Sequence, residues 1–247
     1  ILLSRYGGRI PVCIYARAKK DDSGKVSYVA SLIDISQRKQ AEEEAKQNAE
    51  KLVKAMESVV QVMAMIVELR DPYTAGHQRR VSDLSKAIAE EMGLKQNQID
   101  GIQMASLIHD LGKISVPAEI LSKPGRIDEM EFSFIKKHPQ VGYDILKDIE
   151  FPWPIAQIVL QHHERIDGSG YPQGLSGDDI IIEARILGVA DVIEAISSHR
   201  PYRPALGIHK ALEEISKNRG ILYDPNVVDT CLRLLRERES VWKMLEI

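Results

Sequence analysis

The sequence predicts a mainly α protein: a helical bundle entered through one long helix, with a short β hairpin ahead of it. Three observations predict it. After Asp71 apolar residues recur at helical spacing between loops marked by Gly and Pro. Residues 37–70 hold neither Pro nor Gly and are rich in Ala, Glu, Gln and Lys. Residues 1–36 carry two β-branched runs separated by a turn cluster.

The β runs are Arg9 to Arg17 and Lys25 to Ile35, with Asp21-Asp22-Ser23-Gly24 between them. Two strands alone are marginal in water, so this hairpin needs further cover. Gly7-Gly8-Arg9-Ile10-Pro11-Val12 and the run Asp21–Lys39 resemble the last strands and exit sequence of a PAS sensor domain. The expected organisation is therefore a PAS-like end over 1–36, a signalling or coiled-coil helix over 37–70, and a catalytic-type domain over 71–240. In the long helix Ala45, Ala49, Leu52, Met56, Val59, Met63 and Ile66 follow each other by fours and threes. That is a heptad seam, which favours pairing of two helices. A seam packed on the chain's own domain is the alternative; the expected division has residues before about Ser58 pairing between chains and the rest joining the domain.

The expected helices beyond it are Thr74–Met92, Gln96–Leu111, Pro117–Leu121, Asp128–Lys137, Gln140–Lys147, Ile155–Glu164, Ile180–Ser198, Ile208–Asn218 and Pro225–Glu237. With 247 residues and 44% hydrophobic content a sizeable core forms without staples. The 33 basic and 36 acidic residues leave a net charge of -3, which argues against a groove for polymeric nucleic acid. Cys13 and Cys231 form no disulfide framework, and a cytoplasmic setting is expected. No run approaches a membrane span, and the start at Ile1 suggests a fragment.

Five of the seven histidines stand in contexts that ask for a ligand: His77, His109, His138, His162 and His163. His109-Asp110 closes an apolar helix, where an ionised carboxylate is costly without a positive partner. Asp191 lies in the almost wholly apolar run Ile186–Ile193 and has the same need. Each feature also has an ordinary explanation: His77 solvated in a first turn, His138 at a helix end, Asp191 paired with Arg185. Their joint occurrence is what asks for a metal centre.

That joint pattern carries a family resemblance over about residues 58–240. His109-Asp110-Leu111-Gly112-Lys113 resembles the motif that names the HD phosphohydrolases. His162-His163-Glu164-Arg165-Ile166-Asp167-Gly168-Ser169-Gly170-Tyr171-Pro172 resembles the signature of their HD-GYP branch. Asp71–His77, His138-Pro139 with Gly142, Ala190-Asp191, and His199-Arg200-Pro201-Tyr202-Arg203 resemble its other segments, in the same order. The resemblance implies an HD-type bundle holding two or three metal ions. Carried over residue by residue, the ligands are His77, His109, Asp110, His138, His162, His163 and Asp191. If Asp110 bridges, these groups leave about four of the roughly twelve positions of two octahedral ions for a shared hydroxide and phosphate oxygens. Tyr73 stands where members with a third metal have an extra Glu, so two ions are expected. The mixed donors admit iron, manganese, zinc, cobalt or nickel; the resemblance favours iron or manganese.

The implied activity is hydrolysis of cyclic di-GMP to pGpG in bacterial second-messenger signalling, with onward cleavage to GMP left open. Asp110 and Lys113 are the expected catalytic residues, Lys113 by neutralising phosphoryl charge. Lys113, Gly170, Tyr171, Arg200 and Arg203 are the expected substrate contacts. Glycines of the Asp167–Gly174 loop allow close approach, Tyr171 a stacking ring, and the arginines forks for a second phosphate or a guanine edge. His199 and His209 are expected at the surface. Expected partners are a second copy of the chain through the long helix, and a diguanylate cyclase. The competing readings are a phosphodiesterase for another cyclic dinucleotide and a weakly catalytic signalling module that binds c-di-GMP or a protein.

Overall fold

The computed structural model describes residues 2–3, 9–20, 22–24, 26–70, 76–123, 125–198 and 205–237. The chain divides into two compact units, residues 1–57 and 58–247.

In the first unit β1 (Leu2–Leu3) pairs with β2 (Arg9–Ile10), and β3 (Val12–Lys20) pairs antiparallel with β4 (Val26–Asp34). The register runs from Val12 opposite Asp34 to Lys20 opposite Val26. Ile14, Tyr15, Tyr28 and Val29 of this hairpin are all exposed. Asp34 Oδ1 accepts the Ser36 amide at 2.8 Å, marking the passage from strand to α1 (Ser36–Arg70). The seam residues Ala45, Ala49 and Leu52 of this unit are exposed.

In the second unit the last turns of α1 bury Val60, Ala64 and Val67. This stripe lies one residue along from the anticipated seam, whose Val59 and Ile66 stay exposed. Both stripes are apolar at helical spacing, and the one holding the small Ala64 packs closest.

The bundle is built from α2 (His77–Glu91), α3 (Gln96–Ile108), α6 (His138–Leu146), α7 (Ile155–Gln161), α8 (Ile182–Ser197), α9 (Ile208–Lys217) and α10 (Pro225–Glu237), with the short α4 (Ala118–Leu121) and α5 (Glu129–Ile135) between α3 and α6. α8 is apolar on nearly every face because it is central, packing against α2, α3, α7, α9 and α10. The flanking α9 and α10 each turn one stripe inward: Ala211 and Ile215, then Val227, Cys231 and Leu234. α5 opens on a capping box, Asp128 accepting from the Glu131 amide and Glu131 from the Asp128 amide.

Three of the boundaries that differ from expectation bear directly on the site. α3 stops at Ile108, and the chain tightens into a 3-10 turn over Leu111–Ser115. The cause is Gly112: a Cβ there would lie 1.9 Å from the His138 carbonyl oxygen, so this turn is pressed onto the start of α6. α6 starts at His138 rather than Gln140, since Pro139 suits a helix's first turn. α7 ends at Gln161, leaving His162 as its cap and His163 in the loop. Cys13 and Cys231 are both free thiols.

Candidate metal centre

Each expected ligand comes from the end of an element or from the central helix. His77 opens α2 after Gly76, whose φ is 72°. His109 caps α3, and Asp110 begins the 3-10 turn. His138 opens α6, His162 ends α7, and Asp191 lies midway along α8. All six are buried, and His163 is half-buried beside them. Three groups of ligand atoms gather tightly: His77, His109 and Asp191; His138, His162 and His163; and His109, Asp110 and His162.

The tautomers follow from the backbone. The Nδ1 atoms of His109, His138 and His162 each face the carbonyl three residues earlier, at 2.7, 2.7 and 2.6 Å. A carbonyl accepts and never donates, so each Nδ1 carries the proton. Each Nε2 then presents a bare lone pair to the centre. His77 carries a proton on Nδ1 toward the Glu194 carboxylate, and its Nε2 faces the centre.

The Nε2 atoms of His138 and His162 stand 3.2 Å apart. Two lone pairs at that separation repel unless positive charge lies beside them. His109 Nε2 is buried and makes no hydrogen bond among the described residues. Asp110 divides its oxygens across the same space. Its Oδ1 is 3.5 Å from His138 Nε2, while its Oδ2 is 3.5 Å from His109 Nε2 and 3.7 Å from His77 Nε2. Asp191 Oδ1 lies 3.3 Å from His77 Nε2 and 3.8 Å from His109 Nε2. This donor set fits divalent metal ions.

Burial pushes the Asp110 carboxyl up, but the Lys113 ammonium at 2.7 Å and the surrounding imidazoles hold it well below the usual carboxylate range. Lys113 is the decisive cation, because burial drives His138 down to about 4 and His162 and His163 well below the ordinary imidazole value. Burial also opposes ionisation of Asp191, and His77 and its neighbours overcome it. Asp110 and Asp191 are thus ionised and His138, His162 and His163 neutral, the states in which both kinds of group bind metal.

A pH dependence follows for the metal-free chain. The unfolded chain takes up protons on these histidines below about pH 6.5, whereas the folded chain resists until about pH 4 for His138. Stability is therefore lost as pH falls through that window, and His138 alone accounts for a loss on the order of 3 kcal/mol. Melting temperatures of metal-free protein measured from pH 7.5 to 4.5 should hold nearly level to about pH 6.5 and fall below it. A flat profile would mean that these imidazoles are not buried neutral.

The signature loop is held by an acid whose role the sequence did not disclose. The buried Glu164 carboxylate accepts the Gln173 amide at 2.7 Å and the Leu175 amide at 3.0 Å, one on each oxygen. Asp167 accepts the amide and hydroxyl of Ser169. Gly170 is required by the chain itself, since a Cβ there would lie 2.4 Å from the Arg165 nitrogen. The Tyr171 ring lies against His163 with centroids 4.8 Å apart, and Lys136 Nζ sits 5.5 Å from the Tyr171 ring centre. Arg200, Arg203 and His199 fall outside the described residues, as do Asp71 and Tyr73. His209 is exposed. Arg185, the ordinary alternative partner for Asp191, is engaged by Asp178 and Asp224 instead. Glu194 and Arg80 also went unnoticed in the sequence, although Glu194 satisfies the same criterion as Asp191: an acid in an apolar helix.

A helical bundle with a buried His/Asp cluster at its centre defines a protein of the kind that holds divalent metal between helices. The chain belongs to the HD domain family: the model of that family, described as HD domain, matches residues 61–227. Its His162–Pro172 segment carries the HD-GYP signature. A protein of Xanthomonas campestris pv. campestris, named a cyclic di-GMP phosphodiesterase response regulator, is 42% identical over 181 residues, covering 72% of this chain and 48% of that one. A Vibrio cholerae protein named 3'3'-cGAMP-specific phosphodiesterase 3 is 37% identical over 170 residues, covering 69% of this chain and 37% of that one. The chain thus spans half or less of the length of these relatives. A solved HDG"Y"P protein from Bdellovibrio bacteriovorus shares the fold with TM-score 0.55 and 21% identity, covering 65% of this chain and 51% of that one. No helix among the described residues is long and apolar enough to cross a membrane.

Proposed function

We propose that residues 71–240 form a metal-dependent phosphodiesterase domain that opens cyclic di-GMP to linear pGpG, with onward cleavage to GMP left to the product analysis. The placement of Asp110 carries this reading: one carboxylate stands between two imidazole clusters, with an oxygen toward each. On this reading His77, His109 and Asp191 would hold one divalent ion and His138, His162 and His163 a second, with Asp110 available to either. Iron or manganese is favoured, and two ions are preferred to three. Such ions supply Lewis-acid charge and acidify a water nucleophile for attack on phosphorus.

The chain's own residues prepare that attack. The backbone carbonyls fix the three tautomers, and burial keeps His138, His162 and His163 neutral. Lys113, with its ammonium beside Asp110, neutralises charge on the phosphoryl oxygens as the diester opens. Tyr171, packed on His163 and approached by Lys136, offers a ring edge and a hydroxyl to the nucleotide. Arg200 and Arg203 take the second phosphate or a guanine edge. The exposed hairpin residues support a PAS-like end over 1–36, and the exposed seam of α1 supports a homodimer. A diguanylate cyclase partner and a cytoplasmic setting belong to the same reading.

The relatives named for c-di-GMP and for 3'3'-cGAMP favour a cyclic dinucleotide class and leave the base to be tested. The test is anaerobic hydrolysis with iron or manganese added, comparing c-di-GMP, 3'3'-cGAMP and c-di-AMP. We expect pGpG from c-di-GMP at the highest kcat/KM. A higher value with 3'3'-cGAMP would reassign the base. Metal-loaded protein that binds every nucleotide and turns none over would replace the enzyme reading with a binding module.

A further inference from the structure

Glu194 lies one turn after Asp191 on α8 and is 1% exposed. A buried carboxylate carries a desolvation cost of several kcal/mol unless donors surround it. Here donors come from two helices. Arg80 of α2 places Nε at 2.9 Å and Nη2 at 2.6 Å from Oε1, and Ser198 Oγ joins them at 2.6 Å. His77 Nδ1 takes the other oxygen, Oε2. The guanidinium and the hydroxyl thus fix the carboxylate from one side, and the carboxylate fixes the imidazole from the other.

His77 needs such a partner more than its neighbours do. His109, His138 and His162 lean on carbonyls of their own segments. His77 opens its helix, directly after a glycine with φ of 72°, and takes its partner from across the bundle. We propose that Glu194, clamped by Arg80 and Ser198, is the positioning residue that orients His77 and sets its tautomer. It keeps a proton on Nδ1 and turns Nε2 toward the centre, 3.3 Å from Asp191 Oδ1. This inference rests on the reading of His77 as a metal ligand.

A carboxylate is the group this place demands, because donors approach both its oxygens. In Glu194→Gln one side must meet an amide NH2. If that side is Arg80, the clamp opens. If it is His77, Nδ1 becomes the acceptor, Nε2 takes the proton, and the ligand is lost.

The experiment uses the whole chain and cobalt(II) as probe. Affinity is read by competition with a chelator, and ligand geometry by the visible spectrum at saturating cobalt. Asp224→Asn is the control, because Asp224 pairs with Arg185 and caps α10 away from the cluster. We expect Glu194→Gln to bind cobalt about 10–100-fold more weakly, with an altered spectrum. The control should melt earlier and keep the wild-type affinity and spectrum. If Glu194→Gln does not fold, Arg80→Met carries the test, since that side chain is 22% exposed; the expected loss there is about tenfold. Wild-type affinity and spectrum in the folded variant would overturn the inference, reducing the clamp to a buried ion pair, while the proposed function stood. A wild-type chain that takes up no metal would overturn both.

Discussion

Asp110→Asn will abolish hydrolysis of the cyclic dinucleotide, lowering kcat by on the order of 10³-fold or more, about 4 kcal/mol of barrier. The substitution keeps the volume and removes the charge, so it isolates what the charge does. Among the described residues Asp110 presents one oxygen toward each imidazole cluster. An amide has a single acceptor, so whichever way it turns, one cluster faces an NH2 group. Lys113 loses its ionised partner at 2.7 Å and keeps its burial, so its position is disturbed as well. Metal bound per chain should fall together with turnover. Elemental analysis and product chromatography on the same preparation check both. Turnover within tenfold of wild type would remove Asp110 from the centre and with it the shared-carboxylate reading.

Much of this centre was legible in the sequence for a physical reason. A carboxylate in an apolar helix needs a cation, and the sequence displays such acids openly at Asp110 and Asp191. The mainly α class was equally plain, because α8 is apolar on nearly every face and α9 and α10 carry one apolar stripe each. What stayed hidden depends on backbone paths that periodicity does not encode. The turn of chain at His109, the carbonyls that set three tautomers, and the start of α6 at His138 are of this kind. The stripe of α1 that buries was hidden by degeneracy: Val59 and Val60, Met63 and Ala64, Ile66 and Val67 make two adjacent stripes of equal spacing. Glu194 is different. It obeys the rule that found Asp191, and it was missed because no motif drew attention to it.

The same backbone paths set the second large expectation. Gly112→Ala will both destabilise the chain and impair the site, although the added group is one methyl remote from any reacting atom. Its Cβ would lie 1.9 Å from the His138 carbonyl oxygen and 2.7 Å from the Gly142 nitrogen. Both are backbone atoms of α6, so no side chain can swing aside. The 3-10 turn must withdraw from α6, and with it moves Asp110 relative to His138. Overpacking of this sort costs about 1–3 kcal/mol, which for a chain of this size lowers Tm by roughly 2–12 °C. A misplacement near 1 Å at a catalytic pair costs about 10²-fold in turnover. Gly93→Ala separates strain from site damage. Gly93 has φ of 73° with open space around it, so alanine there meets backbone strain and no neighbour. It should lose about 1–2 kcal/mol and keep its turnover. Thermal melts with kinetics on both variants decide the matter. If Gly112→Ala lost stability and kept full turnover, the contact of the turn with α6 would serve packing alone, and Asp110 would be positioned by its ion pair with Lys113 instead.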